Sequence, residues 1–281
     1  MAILSIQSAV AYGRVGNSAA VFPLERLGHE VWPVDTVQFS NHTGYGAWRG
    51  RAWDAAAIAE VIRGIAERGV FSSCAAVLSG YLGEPALGDV VLDAVRQVKA
   101  ANPAAIYCCD PVIGDDHRGI FVRPELVAFF RDRALPAADI VTPNKFELAL
   151  LTGRTIAGTA DALAAAAQIR ARGPRWILAT SLPGTTVDAV AMLAAGADGA
   201  WLVETPRLPI VANGAGDLTA ALFLARFLQS RDPATSLGDT ASAVHAVLEE
   251  TVRRGAAELQ IVAAQHALAT PPSRFSSRKI A

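Results

Sequence analysis

Asn213-Gly214-Ala215-Gly216-Asp217, running on into Leu218-Thr219-Ala220-Ala221-Leu222-Phe223-Leu224, is the most informative stretch of the chain. Gly214 and Gly216 let the backbone turn tightly and present bare amide groups. The apolar helix behind them adds roughly half a positive charge at its N-terminus. Together they make an anion cradle suited to a phosphoryl group in flight. Asp217 stands at its mouth, where a carboxylate can take the proton from an attacking hydroxyl. The plainer alternative is that Asp217 only caps the helix, since Asp is a favoured cap residue. No G-x-x-x-x-G-K-[ST] occurs, which excludes a P-loop. No G-x-G-x-x-G follows the first strand, which disfavours a nicotinamide-binding fold.

Upstream of this turn, apolar runs of strand length alternate with segments of helical period, the pattern of a mostly parallel sheet covered by helices. Strands are expected at 2–6, 30–34, 75–79, 106–110, 139–142 and 176–180. Helices are expected at about 17–27, 54–68, 86–101, 124–133, 145–151 and 159–172. From 187 to 211 short strands with a turn at 195–199 suggest an antiparallel edge. Helices follow at roughly 217–229, 235–254 and 258–269, and the tail after Pro271 is expected to be loose. No internal repeat or linker interrupts the pattern, so residues 1–270 read as a single domain and 271–281 as its tail.

Ligands collect at the carboxyl ends of strands in such sheets, and two further carboxylates stand there. Thr142-Pro143-Asn144-Lys145-Phe146-Glu147 follows a strand directly. Asn144 can cap the short helix, and Glu147 on its first turn can reach metal-bound water or, equally, complete a capping box. In Cys109-Asp110-Pro111-Val112 the aspartate ends a buried strand, well placed for magnesium and nucleotide phosphates, or simply turns the chain before proline. Residues 114–123 then read as a mobile loop able to close over a substrate. Asp110, Glu147 and Asp217 together supply what phosphoryl transfer needs: a metal site, an anion cradle and a base.

The 281 residues are 52% hydrophobic and 18% charged with formal net charge −1, ample for a large core. No basic stripe suggests nucleic acid or a membrane surface. No apolar stretch approaches the ~20 residues that span a bilayer, and MAILSIQSAV has no basic region of the signal-peptide kind. Cys74, Cys108 and Cys109 lie in apolar runs without zinc spacing, as reduced core thiols do. A soluble, cytoplasmic protein is expected.

The AspPro turn, the Asn-x-x-Glu element and the GxGD turn occur in the order and spacing of the ribokinase superfamily, which the chain resembles. Gln7-Ser8, Val15-Gly16-Asn17-Ser18, residues 37–44 and Leu78-Ser79-Gly80-Tyr81 narrow the resemblance to the pyridoxal kinase family, over roughly residues 3–270. The resemblance implies an α/β, ribokinase-like three-layer fold: a mostly parallel sheet flanked by helices, with a small antiparallel edge. It implies transfer of the ATP γ-phosphoryl group to the 5′-hydroxyl of pyridoxal, with pyridoxine and pyridoxamine as further acceptors, in vitamin B6 salvage. Asp217 is then the base, and Gly214, Ala215 and Gly216 form the anion hole. Ser8 and Thr43 bind the polar edge of the pyridine ring, Val15 and Tyr81 pack on its faces, and Phe121 descends from the flap. His42 either contacts substrate or is hydrogen-bonded within its own loop. Asp110 and Glu147 serve Mg2+ and the ATP phosphates, while Thr142, Asn144, Thr180 and Ser181 line the nucleotide side. Thr180 stands where some bacterial members carry lysine, so Lys145 or a monovalent cation such as K+ is the candidate to balance the phosphate charge. The stretch between Arg207 and Gly214 is short for the family, which bears on the adenine pocket. A homodimer is implied too. The alternatives are hydroxymethylpyrimidine kinase and a non-catalytic carrier of pyridoxal phosphate.

Overall fold

The computed structural model describes residues 1–281. The first half contains β1 (Ala2–Tyr12), α1 (Asn17–Arg26), β2 (Glu30–Asn41), β3 (Gly50–Ala52), α2 (Ala55–Ala66), β4 (Cys74–Ser79), α3 (Leu87–Ala101) and β5 (Ile106–Cys109). A small hairpin, β6 (Gly114–Asp115) and β7 (Gly119–Ile120), precedes α4 (Pro124–Phe129), α5 (Leu135–Ala137) and β8 (Ile140–Val141). Then come α6 (Lys145–Thr152), α7 (Thr159–Arg170), β9 (Trp176–Pro183), β10 (Ala189–Gly196) and β11 (Gly199–Pro206). The chain finishes with α8 (Ala215–Ser230), α9 (Pro233–Arg253), α10 (Gln265–Ala269) and β12 (Arg278–Lys279).

Ten strands form one sheet in the order β12-β11-β10-β9-β8-β5-β4-β1-β2-β3. Pairing is parallel from β2 to β9, and antiparallel at β3 and through β10, β11 and β12. The parallel strands read as unbroken apolar runs because helices cover both faces. Successive side chains point to opposite faces, so Ile3, Ala76, Leu78, Cys108, Ile140 and Leu178 enter one core with Leu24 of α1, Phe223 of α8 and Leu237 of α9. Leu4, Val77, Tyr107, Cys109, Val141 and Ile177 enter the other, against α2, α3, α4, α6 and α7. The neighbouring thiols Cys108 and Cys109 thus lie on opposite sides of the sheet, both free and buried.

Most elements fall where the sequence puts them, with three differences. First, β1 and β2 run on together to Tyr12 and Asn41 rather than stopping at the polar residues near 7 and 35. Second, helix forms only over Gln265–Ala269 of the expected 258–269. There the Gln260 amide donates to the Thr251 hydroxyl and Leu259 and Ile261 are drawn into the core, which holds the segment in turns. Third, the tail is docked rather than loose: Lys279 and Arg278 pair with Trp201 and Leu202 of β11, and Ser277 Oγ donates to the Ala234 carbonyl.

Candidate active site

From β1 the chain crosses through α1 to β2, then returns through α2 to β4 on the other flank of β1. This reversal makes the carboxyl ends of β1 and β4 a topological switch point, where open α/β sheets bind ligands. The register of β1 against β2 slips between Gln7 and Ala9, at Ser8, an irregularity of the kind that re-aims side chains beside sites. A buried polar network fixes α1 onto this end: Ser5 Oγ donates to Asn17 Oδ1 (2.7 Å), and Asn17 Nδ2 donates to Asp35 Oδ1 (2.8 Å). Ser18 Oγ donates to the Val10 carbonyl at 2.7 Å.

Two glycines then let the starts of α1 and α8 close on the strand. Gly16 has φ +52°, and a Cβ there would lie 2.1 Å from the Ser8 carbonyl oxygen. Gly214 has φ +83°, and a Cβ there would lie 1.6 Å from the Arg14 carbonyl oxygen. Gly214 is the cap of α8 and no side chain caps it, so Asp217 does not serve as N-cap. The Ala215 and Gly216 amides at the start of α8 have no side-chain cap, as an anion site requires.

Two cavities meet at this turn. The first, about 290 Å³, is lined by Ser8, Val15, His42, Thr43, Tyr81 and Phe121, all singled out from the sequence, together with Gly214 and Asp217. Val10, Val15, Val37 and Phe39, with Tyr81 against them, form a small apolar core under it. His42 Nδ1 accepts the Gly44 amide at 3.1 Å, so its bond within its own loop and its place on the cavity wall hold together. Burial, then the Arg118 charge, lowers its pKa against the opposing charges of Glu258 and Asp115. The flap is the β6–β7 hairpin: Arg118 pairs with Asp115 (2.6 Å), lies over the Phe121 ring at 4.6 Å and reaches His42 Nε2 at 3.4 Å. Arg118 and Phe39 lie within the 114–123 and 37–44 stretches without having been named as wall residues, and Val10 stands in an arm of β1 longer than its sequence suggests.

The second cavity, about 400 Å³, is lined by Asn144, Lys145, Thr180, Ser181, Ala215 and Gly216, and by Met192, Ile210, Val244 and His245 farther out. Ser181 takes φ +56°, a left-handed residue inside β9, at the cavity wall where the register against β10 slips. Lys145 Nζ is paired with Asp116 at 2.9 Å. Thr142 lies elsewhere: it is buried and donates to Asp110 Oδ1 at 2.8 Å.

Asp110 and Glu147 are 5% and 3% exposed, and neither forms an ion pair. Glu147 completes the capping box with Asn144, and its carboxylate also accepts the Ile113 amide at 2.8 Å, anchoring the root of the flap. Burial, then the Asp217 charge, pushes Asp110 up to about 8. Burial, then the Asp110 charge, pushes Glu147 well above the carboxylate range. Burial pushes Asp217 up to about 6, against the pull of the Gly16 amide. Such a concentration of buried, mutually repelling carboxyls fits a divalent cation. No cluster of three or more His, Cys, Asp or Glu is assembled for a metal, and Mg2+ characteristically takes one or two carboxylates and completes its shell with water and phosphate.

Residues 51–261 match the family model described as phosphomethylpyrimidine kinase. Pyridoxal kinase PdxY of Rubrobacter xylanophilus is 58% identical, over 99% of this chain and 97% of its own. Pyridoxal kinase PdxY of Leifsonia xyli is 51% identical over the whole of both chains. The pyridoxal kinase of Leishmania donovani, solved with ADP and pyridoxamine, superposes with a TM-score of 0.94 at 28% identity, covering 100% of this chain and 99% of that one.

Proposed function

The chain belongs to the pyridoxal kinase family, and from that premise we propose that the cavity of Ser8, Thr43 and Tyr81 holds pyridoxal while the cavity beyond the Gly214–Gly216 turn holds ATP. The activity is transfer of the ATP γ-phosphoryl group to the 5′-hydroxyl of pyridoxal. One observation supports the residue assignment: Asp217 lines the first cavity at the turn whose Ala215 and Gly216 line the second. A pyridine alcohol seated against Val15 and Tyr81, with its polar edge on Ser8 and Thr43, brings its hydroxyl toward Asp217. With its pKa pushed up to about 6, Asp217 is ionised at neutral pH yet basic enough to take the hydroxyl proton. The amides of Gly214, Ala215 and Gly216 then stabilise the negative oxygens of the phosphoryl group as it passes.

Asp110 and Glu147 are the residues that would hold Mg2+. The ion would neutralise charge on the phosphate oxygens and relieve the repulsion among the three carboxylates. Lys145, Asn144, Thr180 and Ser181 hold the polar end of the nucleotide, and the apolar wall of Met192, Ile210 and Val244 takes its base. The flap brings Arg118 and Phe121 over the acceptor and keeps water from competing with its hydroxyl.

The acceptor cavity draws on residues from Ser8 to Asp217 and the nucleotide cavity on residues from Asp115 to Leu248, a span that supports residues 1–270 acting as one catalytic unit. Exposed Tyr12, Tyr45 and Trp48 beside the sheet edge support a homodimer. Three buried free thiols and the lack of any helix long and apolar enough to cross a membrane support the cytoplasm as its place.

The test is magnesium- and ATP-dependent phosphorylation of pyridoxal, with hydroxymethylpyrimidine beside it at equal concentration. Preference for pyridoxal is expected. Preference for the pyrimidine would keep the transfer machinery and overturn the acceptor assignment, and turnover of neither would point to a carrier of pyridoxal phosphate.

A further inference from the structure

The loops 13–16 and 42–46 leave different strands, and both border the acceptor cavity, through Val15 on one side and through His42, Thr43 and Gly44 on the other. Glu258, from the turns after α9, joins them. Its Oε2 accepts the Arg14 backbone N–H at 2.9 Å, and its Oε1 accepts the Tyr45 hydroxyl at 2.6 Å. The backbone is shaped for this contact: Gly13 has φ +115°, and a Cβ there would lie 2.7 Å from Glu258 Oε2. Tyr45 sits in the short turn that His42 caps, so holding its ring holds that turn. The mount is rigid, because Leu259 and Ile261 are buried with Ala19 of α1 and Leu218 of α8.

We propose that Glu258 is a positioning residue of the acceptor site: its single carboxylate locks the two loops at the spacing a bound pyridine ring requires. The inference rests on the reading of that cavity as the pyridoxal site. Without the lock, ordering both loops would fall to the ligand and subtract from its affinity. Neither loop lines the nucleotide cavity, so the larger effect falls on the pyridoxal KM.

Steady-state kinetics of the full-length protein, with pyridoxal and MgATP varied in turn, test this. Glu258→Ala is expected to raise the KM for pyridoxal about tenfold, the loss of roughly one charge-assisted hydrogen bond. The KM for ATP should stay within about twofold. Tyr45→Phe, which removes one arm and is mild enough to keep the fold, should raise the pyridoxal KM about threefold. Added to Glu258→Ala it should change nothing more, because Tyr45 acts through the carboxylate. Parallel rises in both KM values, independent additive effects, or an unchanged pyridoxal KM in Tyr45→Phe would overturn the proposal. A wild-type protein that prefers hydroxymethylpyrimidine would instead overturn the reading of the cavity, before any variant is made.

Discussion

The acceptor cavity and the nucleotide cavity share the 213–217 turn but are assembled differently. The acceptor cavity takes its walls from the long arms of β1 and β2, from Tyr81 after β4 and from the flap, over a small apolar core of its own. The nucleotide cavity lies between the antiparallel strands, the loop near 207–212 and the helices α8 and α9. The family model reaches back only to residue 51. The matched span therefore contains Asp110, Asn144, Glu147, Thr180, Ser181 and Asp217, whereas Ser8, Val15, His42 and Thr43 lie before it. The residues proposed for transfer chemistry belong to the part a broad family description captures. Much of the acceptor wall belongs to the part it leaves out.

The strongest way to break this division is at the shared turn. Asp217→Asn should lower kcat by about 10²–10⁴ with little change in either KM, because it removes the base and leaves both walls standing. A variant retaining most of the activity would remove Asp217 from that role. Next in size, Thr43→Val or Tyr81→Ala should raise the KM for pyridoxal about tenfold and leave that for ATP nearly unchanged. Lys145→Ala should do the reverse, raising the ATP KM about threefold, since its Nζ is half-committed to Asp116. Equal shifts on both substrates from any of the three would erase the distinction between the cavities.

The smallest effect sharpens the comparison at the buried carboxylates. A base that must be ionised predicts that kcat/KM falls as pH drops through about 6, measured as an acid limb that Asp217→Asn abolishes. Asp110 and Asp217 both bind their proton more tightly in the folded than in the unfolded chain. The folded state therefore loses stability as pH rises from the ordinary carboxylate range through about 6 for Asp217 and about 8 for Asp110. In the absence of metal and nucleotide, Asp110→Asn should raise Tm at pH 8 by roughly 5 °C, with the gain shrinking toward pH 5. A Tm that falls at pH 8 would show that the Asp110 carboxylate is stabilised there by something other than its solvent-exposed alternatives.

The strands and the GxGD turn were legible because their signals are local: apolar runs of the right length, and glycines where the chain must turn without a Cβ. Asp110, Glu147 and Asp217 were legible as a set because each ends or begins an element. Glu147 shows the limit of that logic: the capping box read for it forms, and its carboxylate also holds the Ile113 amide at the root of the flap, a contact no local signal announces. The long arms of β1 and β2 were hidden because Gln7, Ser8 and Asp35 look like strand ends, and only their mutual pairing carries the strands onward. Thr142 is polar and follows a strand, yet its hydroxyl is spent on Asp110 instead of the nucleotide wall. Glu258 could not be found from neighbours in sequence at all, because its partners Arg14 and Tyr45 are 244 and 213 positions away.

A partition only one turn thick has a consequence for inhibitor chemistry. Gly214 and Asp217 border one cavity, and Ala215 and Gly216 border the other. A pyridine-methanol fused through a short oligophosphate to adenosine would thread the gap between them as one molecule. The second half would then bind at the effective concentration set by the bridge, and such a hybrid would outcompete either parent ligand by avidity alone.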